Sequence, residues 1–345
     1  MKFQNVVIES IGVALPELYK SSDELENDLH HLYEKLKVST GRLELMTGIK
    51  TRGYWEPKTP PSTISTEAAN DALSKVSFNR EEIELLIHSG VCRDFLEPAT
   101  ASVIHDNLKL SPKAQIFDLS NACLGFLNAI VVAGNMIEAG MIKRALIVTG
   151  ENSGPLIKQT VHKLLTDDSI NRKSLKKYFA NLTIGSAGVA MVISHKSLAP
   201  NAPLVLGASV LTDSSANKLC RGDGNTGELM METDSEELMH HGLKLAKENF
   251  QLFKENLNLD QTTINVVLTH QVGSAHEKLS LETVGLENHR TFRTYPEFGN
   301  TGSAALPLTL ALAAKNQQLK NNDTMALLGI GSGLSSIMLG IKWKQ

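Results

Sequence analysis

Disulfides, zinc-type cysteine pairs, a membrane span and a basic surface are all missing from this sequence. Each absence removes a class of function. The 345 residues hold three cysteines, Cys92, Cys123 and Cys220. They are odd in number and far apart, so they supply neither a disulfide framework nor a Cys-x-x-Cys zinc pair. A reducing cytoplasm is the expected compartment. Lys and Arg total 34 against 37 Asp and Glu, a formal net charge of −3. Nucleic-acid binders carry strongly basic surfaces, so no such partner is expected. The longest apolar stretch, Cys123 to Ile137, is broken by Asn128 and Asn135. It falls short of the ~20 residues that span a bilayer. The opening MKFQNVVIES lacks the apolar core and cleavage site of a secretory signal. No metal or redox cofactor is indicated.

What is present is core material. The chain is 42% hydrophobic and 21% charged, an ordinary globular composition. At roughly 150 residues per domain, the length suits two domains or one large one. Apolar runs at 6–13, 83–91, 114–119, 145–150, 188–194, 204–210, 264–270, 325–330 and 336–343 read as strands. Continuous apolar runs of this length fit strands covered on both faces. Helical patterns near 64–76, 99–109, 122–139, 234–257, 274–285 and 301–315 alternate with them, which predicts an α/β, layered architecture.

The spacing repeats. Strand, loop, strand, long helix and strand follow one another over 83–150 and again over 264–330. This reads as a duplication, with one half at 1–197 and the other at 198–345; chance alternation in an α/β chain is the plainer reading. Segments 15–60 and 154–182 lie outside the repeat. The second is basic, with Lys158, Lys163, Arg172, Lys173, Lys176 and Lys177. A solvated helix face is the expectation, and attraction of phosphates or an acidic carrier protein the alternative.

Cys123 follows a strand and is expected to open the helix CLGFLNAIVVAGNMIEAG. A thiol at a helix N-terminus meets unpaired N–H groups and the positive end of the dipole, which favours thiolate. A small buried core residue would look the same. Cys92 and Cys220 read as structural. His270 ends an apolar strand in VVLTHQVG, as a cleft residue or a core histidine. Asn300, in EFGNTGSAALP, is a site residue or an ordinary helix cap. The GIGSG run at 329–333 has no βαβ unit after it, so a dinucleotide fingerprint is excluded. Its glycines suit a close backbone approach or a tight turn.

Together these motifs resemble the Cys-His-Asn set of the thiolase superfamily, in its ketoacyl synthase III branch: DLSNACLGF, THQVG, FGNTGSAALP, the Gly-rich turn before the last strand, and TGIKTRGY at 47–54. The resemblance covers essentially the whole chain. It implies a duplicated thiolase fold with α-β-α-β-α layers, and a homodimer. Three departures stand out: His270-Gln271-Val272-Gly273 where the family has its His-Gln-Ala run, Gly331-Ser332-Gly333 in place of a glycine triplet, and Arg42 and Met46 where a Trp and an Arg help hold coenzyme A. CRDFLEPATAS at 92–102, with LCRGDG at 219–224, looks like the OleA-type enzymes, which join two fatty acyl-CoA molecules head to head without decarboxylation.

That resemblance implies roles. Cys123 is the nucleophile. The Cys123 and Ser332 N–H groups form the oxyanion hole. His270 and Asn300 stabilise the enolate. A synthase without a decarboxylating donor must abstract an α-proton, so it needs a base. Glu97 is the candidate, reaching into the partner subunit's site; capping the helix that follows is its other reading. The implied product is a 2-alkyl-3-ketoacyl thioester, hydrolysed to the β-keto acid and passed to downstream enzymes toward a β-lactone and long-chain olefin. Coenzyme A thioesters are substrates, and no bound cofactor is implied. The alternatives are a 3-oxoacyl-[acyl-carrier-protein] synthase III using malonyl-carrier protein, an acyl transfer to an alcohol or amine, and a silent partner subunit.

Overall fold

Each apolar run becomes a strand, and the strands place the sites. In a computed structural model, residues 1–223 and 230–344 are described, without the Asp223 side chain. The strands are β1 (Val6–Ala14), β2 (Leu18–Ser21), β3 (Thr51–Tyr54), β4 (Leu85–Ser89), β5 (Gln115–Leu119), β6 (Arg144–Glu151), β7 (Ala187–His195), β8 (Leu204–Thr212), β9 (Cys220–Asp223), β10 (Met230–Thr233), β11 (Val266–Thr269), β12 (Thr324–Gly331) and β13 (Ser335–Lys342). Among the described residues, nine pair in the order β11-β12-β13-β8-β1-β7-β6-β4-β5. The hairpins β2–β3 and β9–β10 are separate; both escaped the sequence reading because they are short and polar. LCRGDG ends at Gly224, outside the described residues.

The sheet has two halves with one topology. β1-β7-β6 are antiparallel neighbours, and β6-β4-β5 run parallel. β8-β13-β12 are antiparallel neighbours, and β12-β11 run parallel. A further parallel bridge, Val266 to Arg290, stands where β5 stands in the first half. The halves join along β1 and β8, through the register pair Val7 with Leu204, the bridge Lys2 with Gly207 and the Phe3 N–H to Leu206 carbonyl bond.

Five layers follow from which faces are apolar. The helices Gly125–Glu138 and Ala305–Lys315 are apolar nearly all round, as expected of helices buried between two sheets. Phe126, Leu127, Leu306 and Leu310 share one core with Ile147, Met191, Leu327 and Leu339, from both halves of the sheet. Helices Pro61–Leu73 and Thr100–Leu108 cover the outer face of the first half through Ile64, Ala68 and Ile104. Helices Ser235–Leu257 and Ser274–Val284 cover the second through Phe250, Phe253 and Leu281. This is the expected α-β-α-β-α arrangement.

The two segments outside the repeat pack on each other. Leu25, Leu29 and Leu43 meet Ile157, Leu164 and Leu182 in one cluster. Much of the basic run is engaged within the chain. Lys176 pairs with Glu236 at 3.2 Å and Lys177 with Glu232 at 3.1 Å. Arg172 donates to the Leu36 and Lys37 carbonyls. It is a helix face with local acidic partners, which weakens the phosphate-attracting alternative.

Candidate active site

The site residues lie where strands end. Cys123 follows β5 through a strained turn: Ala122, the residue before it, has φ 44°, a left-handed conformation costing a non-glycine roughly 1–2 kcal/mol. The helix begins at Gly125 with Leu124 as N-cap, so Cys123 stands just ahead of the first turn and does not open it. Phe126 N–H donates to Ser303 Oγ at 3.0 Å, which ties this helix start to the turn after Asn300. On another side, a side chain at Gly331 would meet Leu124 Cγ at 2.9 Å. Glycine there lets the backbone at 331 lie against Leu124, the residue next to Cys123; Ser332, which follows it, is half-buried.

His270 directly follows β11, its N–H bonded to the Leu328 carbonyl at 3.0 Å. Its ring is buried, 3% exposed. Gln271, beside it, clamps the approach to Asn300: its Oε1 accepts from Thr294 N–H at 2.7 Å and Tyr295 N–H at 3.2 Å. Asn300 is held by its own backbone, through Thr183 and Gly185, both at 2.9 Å. Its Oδ1 accepts Gly302 N–H at 3.1 Å. The side-chain oxygen is thereby occupied and the NH2 is left to donate. Asn300 is therefore a turn-capping residue and a candidate donor together.

Electrostatics correct one expectation. The Cys123 thiol is not poised as thiolate: burial pushes its pKa up to about 12, and the charge of Glu151 and then Cys220 add to the rise. Burial, then His276, pulls His270 down to about 3, so its imidazole is neutral at ordinary pH.

Glu151 was missed by the sequence reading. It ends β6 and is buried. Its carboxylate accepts Ser303 N–H at 3.1 Å, Val91 N–H at 3.0 Å and Cys92 N–H at 3.1 Å. It links the Asn300 turn to the loop that carries Glu97. The available signal was an acid closing an apolar strand in ALIVTGEN. Cys92 donates to the Asn152 carbonyl at 3.5 Å, in line with a structural part. Cys220 lies close enough to raise the Cys123 pKa, which its sequence context did not suggest.

Glu97 lies at the surface of the chain. The helix after it is capped by Asp118, whose oxygens accept Thr100 and Ala101 N–H, both at 2.8 Å, so the capping reading fails. Glu97 is exposed on a loop that also exposes Val91 (56%), Phe95 (55%) and Leu96 (85%). The loop is anchored at Asp94, bonded to Thr100 at 3.1 Å and Ser62 at 2.9 Å. Arg42 and Met46 are exposed on the helix Arg42–Thr47. A side chain at Gly273 would meet Thr47 O at 2.7 Å, so this helix borders the loop after His270. No group of three or more metal-ligating side chains occurs among the described residues, and no helix there is long and apolar enough to cross a membrane.

Known proteins resemble this chain over nearly its whole length. The profile of the 3-oxoacyl-[acyl-carrier-protein] synthase III C-terminal region matches residues 254–343, and that of 3-oxoacyl-[acyl-carrier-protein] synthase III matches 117–167. An acyl-CoA:acyl-CoA alkyltransferase of Shewanella oneidensis is 35% identical over 99% of this chain and all of the relative. The alkyltransferase of Xanthomonas campestris is 34% identical over the same shares. A crystal structure of Xanthomonas OleA superposes with a TM-score of 0.95 at 33% identity, covering 99% of this chain and 98% of that one. Solved forms of that protein include variants at one cysteine, one glutamate and one histidine. A β-ketoacyl-[acyl-carrier-protein] synthase III of Clostridium tetani is 27% identical over 99% of this chain.

Proposed function

Because the chain belongs to the OleA-type branch of the thiolase superfamily, an acyltransferase group beside the ketoacyl synthases III, we propose that it joins two fatty acyl-CoA molecules head to head without decarboxylation. One observation carries the reading. Glu97 projects from an anchored, apolar-rimmed loop, at the same sequence separation from Cys123 as the varied glutamate and cysteine of the Xanthomonas protein.

The reaction has two halves. Cys123 attacks the first acyl-CoA as its thiolate, giving an acyl-enzyme, and the proton it gives up leaves with the departing coenzyme A. The Cys123 and Ser332 N–H groups receive the oxyanion. The second acyl-CoA then places its thioester carbonyl toward His270 and Asn300. Glu97 of the partner subunit removes the α-proton. The enolate carbon attacks the acyl-Cys123 carbonyl, the thiolate leaves, and a 2-alkyl-3-ketoacyl-CoA results. Hydrolysis gives the β-keto acid, which a β-lactone and olefin route would consume. The nucleophile belongs to the half 1–197, and His270 and Asn300 to the half 198–345.

A homodimer supports this use of Glu97. β5 pairs only with β4 among the described residues and exposes Ile116. Such an open apolar edge favours pairing with another chain. The cytoplasm is the proposed location. The alternative, synthase III chemistry with malonyl-carrier protein, draws on the two profile matches.

The test mixes purified protein with one long-chain acyl-CoA and no malonyl donor, following thiol release and products by mass spectrometry. A β-keto acid, or its ketone, at twice the chain length is expected. Glu97→Gln should abolish it while Cys123 acylation persists. Condensation only after malonyl-carrier protein is added would transfer the assignment to the synthase III chemistry.

A further inference from the structure

The residues flanking His270 close over a cavity of about 10 Å³. Thr269, His270, His276 and Ser280 line it, with an apolar wall that includes Leu328 and Met338. Four polar atoms of these residues, Thr269 Oγ1, His270 Nδ1, His276 Nδ1 and Ser280 Oγ, are buried without a protein hydrogen-bond partner. Buried polar groups in folded proteins are almost always satisfied. A space of this size admits one water, and a buried water takes two to four polar partners.

We infer that one structural water occupies this cavity, holding His270 through Nδ1 in the Nε2–H tautomer, with Thr269, His276 and Ser280 as positioning residues. The count of donors and acceptors supports this arrangement. Water donates two hydrogen bonds and accepts two. The Thr269 and Ser280 hydroxyls donate to its lone pairs, and its hydrogens go to the two unprotonated Nδ1 atoms. Every orphaned atom is then served. Both rings are neutral, as this requires: burial lowers His270 to about 3 and His276 to about 4. A neutral imidazole donates from one nitrogen only. With Nδ1 accepting from the water, Nε2 carries the hydrogen that a thioester carbonyl would receive. That last consequence rests on the function proposed above; the water and the tautomer do not.

The experiment uses the full chain. Nitrogen NMR of the ¹⁵N-histidine-labelled protein at neutral pH, with His270 assigned from His270→Gln, reads the tautomer. A high-resolution crystal structure reads the water. The expected result is ordered density within hydrogen-bond distance of His270 Nδ1 and an Nε2–H signature. Ser280→Val should displace the water, mix the tautomers and lower kcat for coenzyme A release roughly five- to tenfold with KM about unchanged. Ser280→Thr should restore both readouts. A cavity without water, or a wild-type ring in the Nδ1–H form, overturns the inference. A protein that releases no coenzyme A would refute the proposed function while the spectrum and the density still decide this one.

Discussion

The Glu151 carboxylate accepts the Ser303 N–H at 3.1 Å, fastening the end of β6 to the turn that starts at Asn300. The same carboxylate holds Val91 and Cys92 and raises the Cys123 pKa. One acid thus serves the Asn300 turn, the Glu97 loop and the Cys123 thiol.

Glu151→Gln replaces an acceptor oxygen with an NH2 facing backbone donors. Unfolding free energy should fall by about 1–3 kcal/mol. Removing the negative charge should also lower the Cys123 pKa from about 12. Alkylation of Cys123, followed by peptide mass against pH, should rise at lower pH in the variant. An unshifted profile would remove Glu151 from the account of the thiol.

Acid should destabilise the fold through His270 and His276. Burial holds them at about 3 and about 4, below the ordinary 6.5. Between those values the unfolded chain binds more protons than the folded one. Their stabilisation is complete above about pH 6.5 and is lost as pH falls through the folded values. Urea midpoints measured from neutral pH downward should decline over this window. His276→Gln should flatten the decline, and an unchanged slope would assign it to other groups.

Gly185 admits no side chain. A Cβ there would lie 1.9 Å from the Phe298 carbonyl oxygen, on the segment that holds the Asn300 backbone. Gly185→Ala should cost about 1–3 kcal/mol and displace Asn300. Denaturant unfolding and product formation together check this. Wild-type values of both would show that the 183–185 and 298–300 segments separate at no cost.

The exposed β5 edge predicts the assembly. Ile116→Lys puts a charge where an apolar edge is to be paired. Sedimentation equilibrium should find the wild type dimeric and the variant mainly monomeric, with Cys123 acylation retained and condensation lost. A monomeric wild type would leave Glu97 without a partner site.

Composition and periodicity alone located the nine core strands and the six main helices, and left the repeat as one of two readings. Alternation and apolar runs are local properties, and burial on both faces leaves them visible in the chain. Cys123, His270 and Asn300 stood out as candidates through the family motifs that carry them; by position alone each also read as a core or capping residue. Only the tertiary structure decided the rest. It starts the helix two residues after Cys123, keeps the thiol protonated and gives the helix cap to Asp118 instead of Glu97. It also makes an ordinary-looking Glu151 the central acceptor. The physical reason is common to all four. A pKa, a cap partner and the satisfaction of a buried carboxylate depend on groups distant in sequence and on the water excluded around them, which no local pattern records.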